Sequence, residues 1–316
     1  MNARTLTAVS LATAFAAVLP SYAADSQLLN LVMPDAAVVA GANVAQAKTS
    51  QFGQYVLQQI QSSNDAGLQK LIAATGFDPT QDVSEVLAAS NGSGQTGLVL
   101  ARGTFDSDKF AAAATADHGV LEKYNGVTVI EDPQQKFGFA FPSSTIAVAG
   151  DLASVKAALD RLSAPSSLPA ALSTQISQWS GTQDAWVISA VPLSTLHHGD
   201  AKSAVTAVPG ANGQGIFHTI QSAAGGVKFG TNDVLTAQAQ ADNADDAKAM
   251  ADALKLLVSM AQLQTSKEPA LAALAQSVQI SNSGATLNVG ASIPESTLEQ
   301  VVHSNNAPTH KPIHRM

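Results

Sequence analysis

There is no cysteine anywhere in the 316 residues. Disulfides, thiolate metal sites and a lipid-anchored N-terminal cysteine are therefore excluded. Charge is scarce: Asp, Glu, Lys and Arg together make 13% of the chain, 24 acidic against 16 basic, for a formal net charge of -8. Nucleic-acid binders carry a basic footprint, and none is visible, so no nucleic-acid partner is expected. Aromatic residues make only 5% of the chain, which leaves few stacking platforms for a sugar groove. Beyond the N-terminus no stretch is both long and charge-free enough to cross a bilayer, which takes roughly 20 apolar residues. The helix richest in apolar residues carries Lys248, Asp252 and Lys255.

What is present begins with MNARTLTAVSLATAFAAVLPSYAAD. Arg4 gives a weakly positive start, Leu6 to Leu19 is uncharged and apolar, and Pro20 ends the run. Ser21-Tyr22-Ala23 then supplies small residues, Ser21 and Ala23, at the two positions a signal peptidase reads. This pattern predicts a signal peptide over residues 1–23 and a mature chain that starts at Ala24. The expected location is periplasmic or secreted, with no transmembrane span in the mature chain.

Hydrophobic periodicity divides the remainder into two copies of one α+β unit. The first copy is expected over 24–162, with its repeated part from Ala36, and the second over 184–302. A linker over 163–183 holds Pro165 and Pro169, and a disordered tail over 303–316 has two prolines and no apolar period. In the first copy Val38–Asn43 reads as a strand, and Phe52, Val56, Leu57 and Ile60 fall at helical spacing behind Ser50, a candidate cap. A hairpin over 83–102, a helix from Asp106, strands at Val127–Ile130, Phe137–Phe141 and Thr145–Ala149, and a helix over Leu152–Leu162 complete it. In the second, Ala185–Val191 stands for the first strand, 223–241 for the hairpin, and Asp245–Gln262 for the following helix. Strands at 278–281 and 285–293 close the unit. Gly126–Ile130 and Ser277–Ser281 are alike locally.

The strand Thr236–Ala241 alternates Ala with Gln, and Leu287, Val289, Ala291 and Ile293 share one side of their strand. One buried and one wet face is the antiparallel habit. The expected fold is α+β: two similar copies of a mostly antiparallel sheet with helices packed on one face. On the long helix, Met250, Leu254, Leu257, Val258 and Ala261 form the buried stripe. The two sheets either pair edge to edge or face each other across a groove.

Chemistry-bearing constellations are few. His197-His198-Gly199-Asp200 is the one dense histidine cluster before the tail, but a metal site needs three or four convergent ligands. Neither a metal site nor a cofactor is expected. Paired acids at Asp106/Asp108 and Asp245-Asp246 suit the positive ends of helices. Glu131-Asp132 sits at a hairpin tip. Ser93 lies among loop glycines rather than in a strand-to-helix elbow. Trp186 is expected in the core; Trp179 is the better candidate of the two for an exposed aromatic contact, its alternative and favoured role being to cap the second copy's core. Trp179, His197, His198 and Asp200 are thus the candidate ligand-binding residues, and no catalytic residue is assigned.

The strands Val38-Val39-Ala40-Gly41-Ala42-Asn43 and Gly97-Leu98-Val99-Leu100-Ala101-Arg102-Gly103, with Phe77-Asp78-Pro79-Thr80-Gln81-Asp82-Val83 and Ala147-Val148-Ala149-Gly150-Asp151, give a further reading. In these the chain resembles uncharacterised exported bacterial proteins that have two related α+β halves behind a signal peptide. That resemblance implies no activity and no site residues. The functional expectation is an exported, non-catalytic binding or scaffolding protein, its partner an envelope protein or a small ligand. The alternative is an exported hydrolase or metal-dependent enzyme using acids or His197 and His198.

Overall fold

Side chains alternating with a period of two build twelve strands, and their registers join all twelve into one antiparallel sheet. The computed structural model describes residues 23–61, 66–93, 96–132, 136–164, 167–192, 195, 219–264 and 269–297. The strands are β1 (Val38–Asn43), β2 (Val83–Ser90), β3 (Gly97–Gly103), β4 (Val120–Tyr124), β5 (Val127–Asp132) and β6 (Phe137–Ser143). They continue as β7 (Ile146–Asp151), β8 (Ala185–Ser189), β9 (Ile220–Lys228), β10 (Asn232–Ala241), β11 (Gln279–Ser283) and β12 (Thr286–Pro294). Their order across the sheet is β11-β12-β10-β9-β8-β1-β2-β3-β7-β6-β5-β4.

The centre of that order is the β1–β8 pair, where Ala40 faces Val187 and Gly41 faces Trp186. Read outward from it, β1-β2-β3-β7-β6 has the same connectivity as β8-β9-β10-β12-β11, and the β4–β5 hairpin extends the first half. The two halves meet edge to edge. β11, which resembles Val127–Ile130 locally, takes the place of β6 rather than of β5.

The helices are α1 (Ser26–Leu29), α2 (Val44–Ala47), α3 (Gln51–Gln61), α4 (Ala66–Thr75), α5 (Pro79–Asp82) and α6 (Ser107–Ala116). Then come α7 (Leu152–Arg161), α8 (Ala170–Thr182), α9 (Ala244–Gln264) and α10 (Pro269–Ser277). Their starts follow the local chemistry. Asp106 accepts from the Lys109 amide, Asp151 from the Ser154 amide, and the Ser50 hydroxyl from the Gly53 amide.

The main core lies on one face of the first half. Leu87, Leu98, Leu100 and Val148 of the sheet pack there with Val155 and Leu159 of α7 and with Leu172, Ile176 and Trp179 of α8. Trp186 and Ile188 of β8 complete it, so the second half's first strand belongs to the first half's core. The buried Arg161 guanidinium donates twice to the Leu31 carbonyl, at 3.1 and 2.7 Å, and ties the segment after α1 to α7. On the opposite face Phe77, Phe105, Phe110 and Phe141 make an aromatic cluster under α5 and α6. A third core packs Ala247, Met250 and Ala251 of α9 on Ala239 and Leu287.

The α+β antiparallel expectation holds, with three differences of detail. Helices cover both faces in each half: in the second, α9 packs on one face and α8 on the other, over β8 and β9. Residues 170–182, expected within a linker, form α8, because Leu172, Ile176 and Trp179 recur at helical spacing and are buried. The stripe of α9 is fully buried at Met250 but only half-buried at Leu254, Leu257 and Val258, and Ala261 is exposed, so burial of the stripe falls off along the helix.

Candidate functional site

The registers place one residue from each strand in a single row across the sheet. Leu121 pairs with Ile130, Ile130 with Phe139, Phe139 with Ala149, and Ala149 with Val99. Val99 pairs with Ala88, Ala88 with Ala40, and Ala40 with Val187. Val187 pairs with Gly225, Gly225 with Ala237, Ala237 with Val289, and Val289 with Ile280. Every member is apolar or glycine. All lie on one face, because the register aligns residues of one pleat.

This row is covered at neither of its central high points. Val99 is 44% exposed and Val187 47% exposed, and Leu121 at the far end is 45% exposed. The helices α2 to α6 cover the neighbouring row, where Val86, Ala101 and Ala147 pack into the aromatic cluster. They stop short of Ala88 and Val99. What is left is an apolar band from Val99 to Ala237 beside a helical wall, since Val289 and Ile280 at the end of the row pack under α9. Exposed apolar surface that is contiguous across strands marks an interaction site more often than scattered apolar residues do.

A hollow of about 520 Å³ sits on the band. Its floor is Val38, Ala40, Ala88 and Val99, with Phe137 and Lys136 on its far side. Phe137 and Phe139 meet edge to face at 5.0 Å between ring centres. Asp151 is also on the lining, but its carboxylate is already engaged. Burial pushes its pKa up, and hydrogen bonds from Ser154 and from the Gly97 amide outweigh that and hold it below the usual value. Lys136 makes no ion pair among the described residues. The hollow therefore offers aliphatic floor, one aromatic wall and one cation at the rim.

The opposite face of the second half has the reverse character. Thr236, Gln238, Gln240, Asn288 and Ser292 share it, with the Thr286 hydroxyl donating to Gln240 at 2.9 Å. The Ala and Gln alternation read from Thr236–Ala241 thus sorts onto two faces as expected.

Of the residues singled out in the sequence, Trp179 is 4% exposed and inside the main core, so it presents no surface contact. Its spacing from Leu172 and Ile176 on one helical stripe is the reason. His197, His198 and Asp200 lie outside the described residues. Among the described residues no group of three His, Cys, Asp or Glu side chains is placed to hold a metal ion, and no helix is long and apolar enough to cross a membrane. The band itself is not legible in the sequence. Each strand contributes one modest apolar residue to it, and the row exists only through the registers.

Comparison with solved structures finds the same architecture elsewhere. The fold is shared with TP0453. Crystal form I of TP0453 matches with a TM-score of 0.54 at 14% identity, covering 90% of this chain and all (100%) of that one. Crystal form III matches with a TM-score of 0.55 at 13% identity, over 87% of this chain and 97% of that one. At such identity the likeness to TP0453 is one of fold alone. No protein-family profile and no curated protein matches the chain.

Proposed function

We propose that this chain is an exported, non-catalytic binding protein whose ligand lies on the open apolar band. The observation that carries the reading is the unbroken apolar row, uncovered at Val99 and Val187. The occupant that fits is a single-chain amphiphile with an anionic head. Its aliphatic chain runs over Ala40, Ala88 and Val99, where small side chains leave room, and its head group meets Lys136. The 520 Å³ hollow falls in the ordinary range of ligand sites, about 300–1,000 Å³. Export rests on the signal pattern and on cleavage after Ala23. The shared strand order of the two halves supports descent from a duplicated unit, and with it membership among the exported two-copy proteins that the chain resembles.

Titration with a fluorescent fatty acid tests the ligand. Wild type should bind it saturably, and Val99→Asp should weaken binding at least about tenfold, since it sets a charge on the apolar floor. Lys136→Glu should weaken the fatty acid but leave the matching fatty alcohol unchanged. Equal binding by wild type and Val99→Asp, or no binding by wild type, would overturn the proposal. A dimer of wild type that Val99→Asp dissociates would reassign the band to a second copy of this chain.

A further inference from the structure

We infer that removal of residues 1–23 delivers the new α-ammonium of Ala24 to Glu85 as its ion-pair partner, so that processing itself locks the start of the chain onto the sheet. The inference rests on the cleavage site proposed above. It starts from how firmly the chain just after that site is held. The Asp25 amide donates to Glu85 Oε1 at 3.0 Å. Asp25 Oδ1 accepts from the Gln27 and Leu28 amides and starts α1, and Asp25 Oδ2 accepts from Arg102 Nε at 3.0 Å and Nη2 at 2.6 Å. Ala24 packs against the main core.

Among the described residues, Glu85 is the group in this cluster with no ion-pair partner of its own. Burial pushes its carboxyl above the usual carboxylate range, and the Asp25 charge adds to that. Arg102 is near enough to act on it through space, but its donors are directed elsewhere: to Asp25, to Gln27 Oε1 at 2.6 Å and to Thr145 Oγ1 at 3.1 Å. The nitrogen of Ala24 is one peptide unit from that of Asp25, under about 4 Å by covalent geometry. In the uncut chain it is a neutral amide. Hydrolysis of the Ala23–Ala24 bond adds water across it: the hydroxyl goes to the Ala23 carbonyl, which leaves as a carboxylate, and the Ala24 nitrogen becomes a free amine. With an ordinary pKa of about 7.7–8.0 that amine is largely protonated at neutral pH. An opposite charge at this range favours the ionised carboxylate and offsets its desolvation.

Two chains test this: one starting at a free Ala24, and one retaining Ser21-Tyr22-Ala23 ahead of it. Each is made with Glu85 and with Glu85→Gln. The Ala24 chain should melt higher than the extended chain by about 2–4 °C, and Glu85→Gln should erase that gap. The Ala24 amine should also acetylate more slowly in the Glu85 chain than in the Glu85→Gln variant. Equal melting of the two Glu85 chains, or a gap that persists in the Glu85→Gln pair, would overturn the inference, the latter by showing that the extension acts sterically. Sequencing the exported protein tests the cleavage site separately. A different first residue removes the premise, whereas a missing coupling in the Ala24 chain removes the inference with the premise intact.

Discussion

Gly41 on β1 and Trp186 on β8 face each other across the seam of the sheet, and the indole occupies the space where a Gly41 side chain would be. A Cβ on Gly41 would lie 2.5 Å from Trp186 Cζ2 and 2.9 Å from Leu87 Cδ2. Gly41→Ala should therefore force the indole or β1 aside, with a stability loss of about 1–3 kcal/mol. Urea denaturation measures the loss, and Trp186 fluorescence should shift in the folded state. A change within about 0.5 kcal/mol, the range of a neutral surface substitution, would mean that the seam yields at no cost.

The third core makes a graded prediction along one helix. Met250 is fully buried against Ala239 and Leu287, Leu257 is half-buried, and Leu256 is 62% exposed. Met250→Ala should cost about 2–5 kcal/mol, Leu256→Ala no more than about 0.5 kcal/mol, and Leu257→Ala an intermediate amount. Thermal or chemical melts of the three variants check the order. Leu256→Ala as the costliest would show that α9 rotates from the orientation described.

The β4–β5 hairpin turns on Asn125 and Gly126, with φ of 49° and 82°. Two successive positive φ values are the signature of the tight hairpin turn that suits strand twist, and they are why the dipeptide is Asn-Gly. Gly126→Ala places a side chain where it is strained, although nothing lies within 4 Å to clash with it. A loss of roughly 1 kcal/mol is expected, with amide exchange rising first in β4. Unchanged exchange there would dissociate the turn from the hairpin's stability.

Asp151 links pH to stability. Its folded pKa lies below the ordinary carboxyl value of 3.8, so the unfolded chain binds its proton more readily. Its contribution is present above about pH 4 and is lost as pH falls through the lowered folded value. Asp151→Asn keeps an acceptor for the Ser154 amide but carries no charge. The variant should lose less stability than wild type between roughly pH 5 and pH 3, and an identical acid limb in both would refute the assignment.

Some of this could be read from the chain and some could not, for physical reasons. Strands such as Thr236–Ala241 announce themselves, because alternation is local and survives without knowledge of the partners. β4 did not, since Glu122 and Lys123 interrupt a short apolar run, yet the Asn125-Gly126 turn behind it was a usable sign. α8 was hidden by the proline-rich approach to it, although Leu172, Ile176 and Trp179 held a helical stripe. The apolar band and the Asp25–Arg102–Glu85 cluster depend on pairings between residues far apart in the chain. Asp25 and Arg102 are 77 residues apart, and no periodicity records that distance.

The β1–β8 seam also decides how the chain can be divided. Although the two halves share a strand order, a fragment ending at Leu162 would lose β8 and α8, and with them Trp186, Ile188, Leu172 and Ile176 from its own core. It would also present β1 with its outward backbone N–H and C=O groups bare, next to the apolar side chains of Val39 and Val38. Such a strand is a template for any other extended chain. The expected behaviour of that fragment is self-association into β-rich aggregates rather than independent folding. The second half is thus, for the first, the cap that keeps it in solution.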